Sequence, residues 1–453
     1  MDNALSRAFT PLSLLRFALP NMVMMVFLSL YTIVDGIFIS RYVGTLALSA
    51  VNMAYPLNCL QMALGIMLAS GGSAVIARKM GEGKDREARR DFSCVVAVSA
   101  VVGAVFLVLG NLFLDEILRL LGTSPAQMDL CRTYTRILLW FAPAFFLQTA
   151  YQVLFVTAGL PGLGLGLTVA GGLANVVLDI TFMGPLDMGI AGAAVATVIG
   201  YCIPAVAGTV YFFLNRRGSL YFVPFRADWP MLAKTCGNGS SEMVTNIANA
   251  VTTFLFNILF LRYWGEDGVA AITIVMYFQF VLTAVFFGFS MGVAPVVSYK
   301  YGAQDLPQLR GIFRCCLIFV AVCSLGAYVL SRMSIGLCLE AFTQAESAVY
   351  AITMEGFPLY AGSFLLMGVS IFASSLFTAF SDGLVSALIS FARTFLFLVG
   401  MLLVLPQFLG KPGIWLAVPA AETLGLAVVA GFLLWGRGKY GYGKPAGTKG
   451  SPR

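Results

Sequence analysis

The sequence predicts an all-α membrane protein of twelve transmembrane helices, built as two fused units. Three observations predict it. The chain of 453 residues is 59% hydrophobic and only 11% charged, with mean hydropathy +0.88. A water-soluble chain of this length needs far more polar surface. Apolar runs of about 20 residues, long enough to cross a bilayer as helices, recur throughout. The third observation is a repeat. Gly71-Gly-Ser-Ala-Val-Ile-Ala-Arg-Lys79-Met-Gly81 is echoed by Gly292-Val-Ala-Pro-Val-Val-Ser-Tyr-Lys300-Tyr-Gly302. The same offset carries Arg89 to Arg310, Phe92 to Phe313, Thr157 to Thr378, Gly162 to Gly383 and Gly192 to Gly413. An offset held this far means two copies of one helical unit.

The elements follow in order. The first span, 12–40, carries Pro20 and Asp35 and has no small-residue cleavage site after it. It reads as a retained helix, not a signal peptide. Spans two and three, 47–77 and 92–114, flank Gly81 to Asp91, where acids and bases alternate as on an exposed surface helix. Spans four and five, 134–158 and 163–184, are joined by Gly159-Leu-Pro-Gly-Leu-Gly-Leu-Gly166. That segment lacks the Lys-Ser/Thr of a phosphate loop and follows no strand, so it is a tight turn. Span six, 190–214, closes an amino-terminal unit, 1–214. A linker, 215–230, holds Arg216, Arg217, Gly218, Pro224 and Arg226, the longest polar break near the middle. Spans seven to twelve, 231–261, 269–298, 313–338, 350–379, 384–408 and 414–436, make a second unit, 231–437. The Gly- and Lys-rich residues 438–453 are expected to form a flexible tail.

Charge sets the orientation. With the amino terminus in the cytoplasm, 20 of the 28 Lys and Arg fall on inner segments and seven on outer ones; Arg393 lies within the eleventh span. The positive-inside rule then places both termini inside, in a cell's inner (cytoplasmic) membrane. The net charge of +7 is a topology signal, and its dispersal over loops speaks against nucleic acid as a partner. Nine cysteines, mostly in apolar runs and without a CxxC pair, read as small helix residues, not a disulfide framework. The chain has no histidine, which removes Ser-His triads, His-based metal sites and imidazole relays. No nucleotide-binding signature, Asp-rich metal motif or HExxH is present, so an enzyme is not expected, and no cofactor.

Proton chemistry falls to carboxylates. A charge at mid-bilayer costs roughly 2.5–3.5 kcal/mol, so each one needs a reason. Asp35 on span one and Asp179 on span five both stand near the outer ends of outward-running helices. Tyr31 is one turn from Asp35, Asn175 one turn from Asp179, and Thr197 on span six reaches the same depth. Together they form a polar pocket in which two acids can share one proton at neutral pH and release it to water. The alternative is that Asp35 caps a helix end or snorkels to the surface. The second unit is not a copy here: its acids are Glu242, Glu355 and Glu422. Arg393 is a partner for Glu422, either as a structural ion pair or as part of a substrate site. Pro20 removes a hydrogen bond from the helix that carries Asp35 and acts either as a hinge or as a static kink.

These residues resemble the multidrug and toxic compound extrusion (MATE) family, in its DinF-like and MepA-like bacterial branch. The resemblance covers about residues 10–437. It rests on Tyr31-Thr-Ile-Val-Asp35-Gly-Ile-Phe-Ile with Pro20 upstream, and on Asn175-Val-Val-Leu-Asp179 leading into Gly189-Ile-Ala-Gly-Ala-Ala-Val-Ala-Thr197. Lys411-Pro-Gly-Ile-Trp-Leu-Ala-Val-Pro-Ala-Ala-Glu422 supports it. It implies two six-helix lobes around a central cleft, and export of organic cations and amphipathic drugs in exchange for H+ or Na+. Asp35, Asn175, Asp179, Thr197 and Tyr31 match the family's cation site, with Na+ at Asp35, Asn175 and Asp179 as the other candidate ion. Glu242 resembles an acid of the seventh helix; Glu422 and Arg393 are further cleft candidates. The tenth-helix acid of sodium-coupled members aligns near Met367, which favours protons. A monomer is expected. The alternative is a flippase for a lipid-linked precursor, disfavoured because Arg393 is the one clear membrane cation.

Overall fold

The computed structural model describes residues 4–342 and 347–443, and the regular structure among them is all helical. α1 (Pro11–Phe38) opens on a capping box: Thr10 Oγ1 accepts from the Ser13 N–H, and Ser13 Oγ from the Thr10 N–H. It runs through Pro20 without a break and passes into a π-helical turn, Ile39–Val43. α2 (Thr45–Gly81), α3 (Asp85–Leu112), α4 (Leu114–Leu120), α5 (Pro125–Trp140), α6 (Ala142–Thr157), α7 (Pro161–Met183) and α8 (Gly189–Leu214) complete the first unit. The second contains α9 (Trp229–Trp264), α10 (Glu266–Gly302), α11 (Leu306–Phe342), α12 (Ala348–Ala361) and α13 (Phe364–Ala379). Next comes one rod made of α14 (Gly383–Ser390), a π-helical turn (Phe391–Phe397) and α15 (Leu398–Leu409). α16 (Lys411–Tyr440) is last.

Ten rods among the described residues are long and apolar enough to cross a membrane, and two bent pairs make twelve. The sequence predicts single spans at 134–158 and 350–379, and here the structure differs. α5 and α6 meet at 58°, α12 and α13 at 53°. The breaks fall at Phe141 and Gly362, one repeat offset apart. Pro143, in the first turn of α6, has no N–H to continue α5. The repeat also shows in the turns. Gly44 and Gly265, Gly189 and Gly410, and Gly83 and Gln304 each stand at the shared offset, and all have positive φ.

Each unit ends by folding back on its own third rod. In the first, Arg89 Nε donates to the Ser219 carbonyl at 3.0 Å, and Phe222 packs on Phe92. In the second, Arg310 Nε donates to the Gly441 carbonyl at 3.0 Å, and Tyr442 packs on Phe313. The first residues of the tail expected to be flexible from 438 are instead packed. α16 continues to Tyr440, and Tyr442 is buried in a stack with Phe380. Residues 444–453 lie outside the described residues.

The two lobes meet through α1 on α10 and α2 on α9 and α10. On the half nearer the termini these helices touch backbone to backbone. A Cβ at Gly71 would overlap the Thr235 carbonyl, and one at Gly239 the Met67 carbonyl. Gly81 and Gly302 stand likewise against the carbonyls of Tyr299 and Arg78. Asn21 Nδ2 donates to the Gly288 carbonyl at 2.7 Å, and the Arg78 guanidinium lies 5.2 Å over the Tyr301 ring. A short amino-terminal segment crosses the same face, where Lys300 Nζ donates to the Ser6 carbonyl and the Phe9 N–H to Gln308 Oε1, both at 3.0 Å. No residue of α2 from 63 to 80, or of α10 from 281 to 300, is exposed. Towards the other face Asn52, Tyr55 and Met62 on α2, and Tyr277 and Phe280 on α10, are open. The cleft between the lobes thus opens away from the termini.

Candidate functional site

Five residues expected to form a pocket come together inside the first lobe. α1 and α7 pack side by side, and α8 packs on α7. Asp35 on α1 and Asp179 on α7 have their carboxyls within hydrogen-bonding reach of each other. Asn175 and Asp179 are completely buried and Thr197 nearly so. With its amide in the orientation that satisfies both ends, Asn175 donates Nδ2 to Asp179 Oδ2 at 3.1 Å, and its Oδ1 accepts from the Thr197 N–H at 3.0 Å. Thr197 Oγ1 donates back to the Ala193 carbonyl at 2.9 Å. The buried Oδ1 atoms of Asp35 and Asp179 meet no donor from another described residue. Two carboxyls in mutual contact, with no outside donor on those oxygens, need a proton or a cation between them.

Tyr31 stacks on Phe27 (centroids 6.4 Å apart), with its phenol in electrostatic range of both acids. Two further tyrosines join it, Tyr134 on α5 and Tyr201 on α8. Sequence reasoning missed both. Tyr201 was within reach of it, standing one turn beyond Thr197 on the same face. Tyr134 was not, because the bend after Trp140 sets where α5 lies. A π-helical turn begins four residues after Asp35, a local rewinding often found beside functional residues.

The second-lobe candidates stay apart from this pocket. Arg393 and Glu422 do pair: Arg393 Nε lies 2.8 Å from Oε1 and 2.9 Å from Oε2. Their side chains are 12% and 6% exposed. The repeat offset carries Gly172 to Arg393 and Tyr201 to Glu422, so the second lobe puts an ion pair between the counterparts of α7 and α8. Glu242 stands on α9, partly buried and in no ion pair among the described residues. Pro20 lies four turns from Asp35 along α1, where the helix packs on α10, and touches none of the acids. Among the described residues no three His, Cys, Asp or Glu side chains gather as a metal site, and all nine cysteines are free.

The MatE family model matches residues 20–181 and 243–403. A probable multidrug resistance protein, YoeA of Bacillus subtilis (strain 168), is 25% identical over 435 residues, covering 92% of each chain. The multidrug export protein MepA of Staphylococcus aureus (strain MRSA252) is 20% identical over 420 residues, 91% of each. A solved structure, described as the outward-facing conformation of a multidrug resistance MATE family transporter of the MOP superfamily, superposes with TM-score 0.89 at 22% identity. It covers 97% of both chains.

Proposed function

The chain belongs to the MatE family, whose members are transporters and not enzymes, and on that footing we propose that it is a cation-coupled antiporter. In this reading it exports organic cations and amphipathic drugs by alternating access, with protons as the coupling ion. The observation that carries the proposal is the buried Asp35–Asp179 pair. Its two acids sit on different helices, so a proton between them holds α1 to α7, and its loss sets two negative charges against each other. Ion binding there biases the position of α1, which also meets the other lobe through α10, and a ligand shifts an equilibrium only through such a difference. Protons are favoured over Na+ because Asn175 offers Asp179 an N–H. A hard cation takes oxygen ligands, and the amide oxygen is already engaged by Thr197. In the second lobe Met367, buried at 2% exposure, supplies no acid.

Glu242 and the open rings of Tyr55 and Tyr277 suit a flat organic cation, by charge and by cation–π attraction. With both termini in the cytoplasm, the cleft faces outward and the glycine contacts form the inner seal, which parts when the cleft turns inward. The test is a reconstituted liposome exposed to a fluorescent cation under an imposed pH gradient, then under a sodium gradient. Uptake driven by the pH gradient and abolished in Asp35→Asn supports the reading. Uphill pumping by Asp35→Asn refutes it, and uptake driven by sodium alone changes the ion.

A further inference from the structure

Arg393 offers more donors than its partner uses. It sits in the π-helical turn Phe391–Phe397, about halfway along its rod. Leu384, Leu388, Phe391 and Phe395 form the exposed apolar stripe of that rod. Arg393 is two residues from both Phe391 and Phe395, and so points to the opposite face. Its stem lies against Gly425 on α16 and its Nε meets both oxygens of Glu422. Nε carries one hydrogen. An arginine–carboxylate fork normally uses two parallel N–H···O bonds. Here the carboxylate sits side-on, and the four Nη hydrogens donate to no described residue. The Arg393 side chain is 12% exposed within a lobe, and the donors on its Nη edge are free to take an acceptor.

We propose that the Nη edge of Arg393 is a binding site for the carboxylate of a zwitterionic amphiphile. Glu422 fixes the plane of the guanidinium and cancels its net charge, so the anionic group is held by directed hydrogen bonds and is released readily. The first lobe takes positive charge at its paired acids on α1 and α7; the second presents donors on the counterpart of α7, about two turns from the position that matches Asp179. This deepens the transporter reading and rests on it, and it names a substrate class with both signs of charge.

The test compares rhodamine B, a zwitterion, with its ethyl ester, a cation of nearly the same shape. Binding is read by fluorescence anisotropy with the full chain in phosphatidylcholine nanodiscs. The double variant Arg393→Gln/Glu422→Gln removes both charges and leaves no buried ion unpaired. It is expected to weaken rhodamine B about tenfold or more and to leave the ester within about twofold. Glu422→Gln alone frees the guanidinium and is expected to tighten rhodamine B only, an effect no purely structural pair produces. Equal changes for both dyes, or none, overturn the proposal. Wild-type protein that binds the ester but not rhodamine B overturns it while leaving the cation exporter intact. Binding of neither dye counts against both. A repeat in phosphatidylglycerol nanodiscs separates the sources: unchanged rhodamine B affinity keeps the site for the amphiphile, and its loss assigns the edge to an anionic lipid headgroup and overturns the proposal.

Discussion

Gly71→Ala should open the seal between the lobes. The added methyl would overlap the Thr235 carbonyl and stand 2.8 Å from the Gly239 nitrogen. Both obstacles are main chain, so no rotamer change relieves them, and α2 and α9 must separate by about 1 Å at that level to restore ordinary contact. Overpacking of this kind costs typically 1–3 kcal/mol. The cost falls on the state in which these backbones touch, so the ratio of open to sealed forms rises about 5- to 150-fold. The assay is an electron–electron distance measurement between spin labels at 84 and 304. These exposed turns flank the Gly81–Gly302 contact, one on each lobe. Labels attached through a keto amino acid leave the native cysteines in place. Wild type should give one short distance, and Gly71→Ala a longer component that grows with it. Gly162→Ala is the control, since its methyl meets nothing. An unchanged distance distribution in a folded Gly71→Ala protein would show that the glycine contact does not set the equilibrium.

Other outcomes follow from the same geometry. Arg393→Met leaves Glu422 buried without its partner, and should lower stability by about 3–5 kcal/mol in thermal melts. Arg393→Met/Glu422→Met should recover most of that. Asn175→Leu deprives Asp179 of its donor, and should slow gradient-driven dye transport about tenfold or more without loss of folded protein. Asp382 links α13–α14 to the end of α16. Burial alone would push its carboxyl up, but hydrogen bonds from Lys439 and Tyr440 outweigh that and hold it below the usual aspartate range. A depressed carboxyl contributes stability that is present above its unfolded pKa and lost as the pH falls through the folded one. Docking of the α16 end, followed by Trp435 fluorescence, should therefore loosen only in acid, and Asp382→Asn should abolish that acid step.

Hydropathy made the twelve spans legible, because lipid imposes length and apolarity on each one. It could not show the bends at Phe141 and Gly362, which cost little apolar surface and lie inside otherwise continuous runs. The pocket was legible wherever residues share a helix face: Tyr31 with Asp35, and Asn175 with Asp179. That Asp35 meets Asp179 required only that two helices run the same way and lie adjacent. Tyr134 came from a helix whose placement depends on tertiary packing. The glycines of the repeat were conspicuous in the sequence, yet their partners were not. Gly71, Gly81 and Gly302 each meet a carbonyl of the other lobe, and a main-chain oxygen leaves no trace in residue identity.

The π-helical turn of the second lobe bears on the history of the duplication. Such a turn amounts to one residue too many in an α-helix. α7, the counterpart rod, has none, and it stops at Met183 where the second copy continues to Leu409. The copies are back in register at Gly189 and Gly410, so the extra length was absorbed by a shorter connection. One inserted residue rotates everything beyond it by about 100° around the helix axis. Divergence between the two halves is thus partly a matter of phase: side chains beyond the turn face a different way from those at the same offset on α7, while Arg393 itself stands, by substitution, where the first copy keeps Gly172 packed on Phe27.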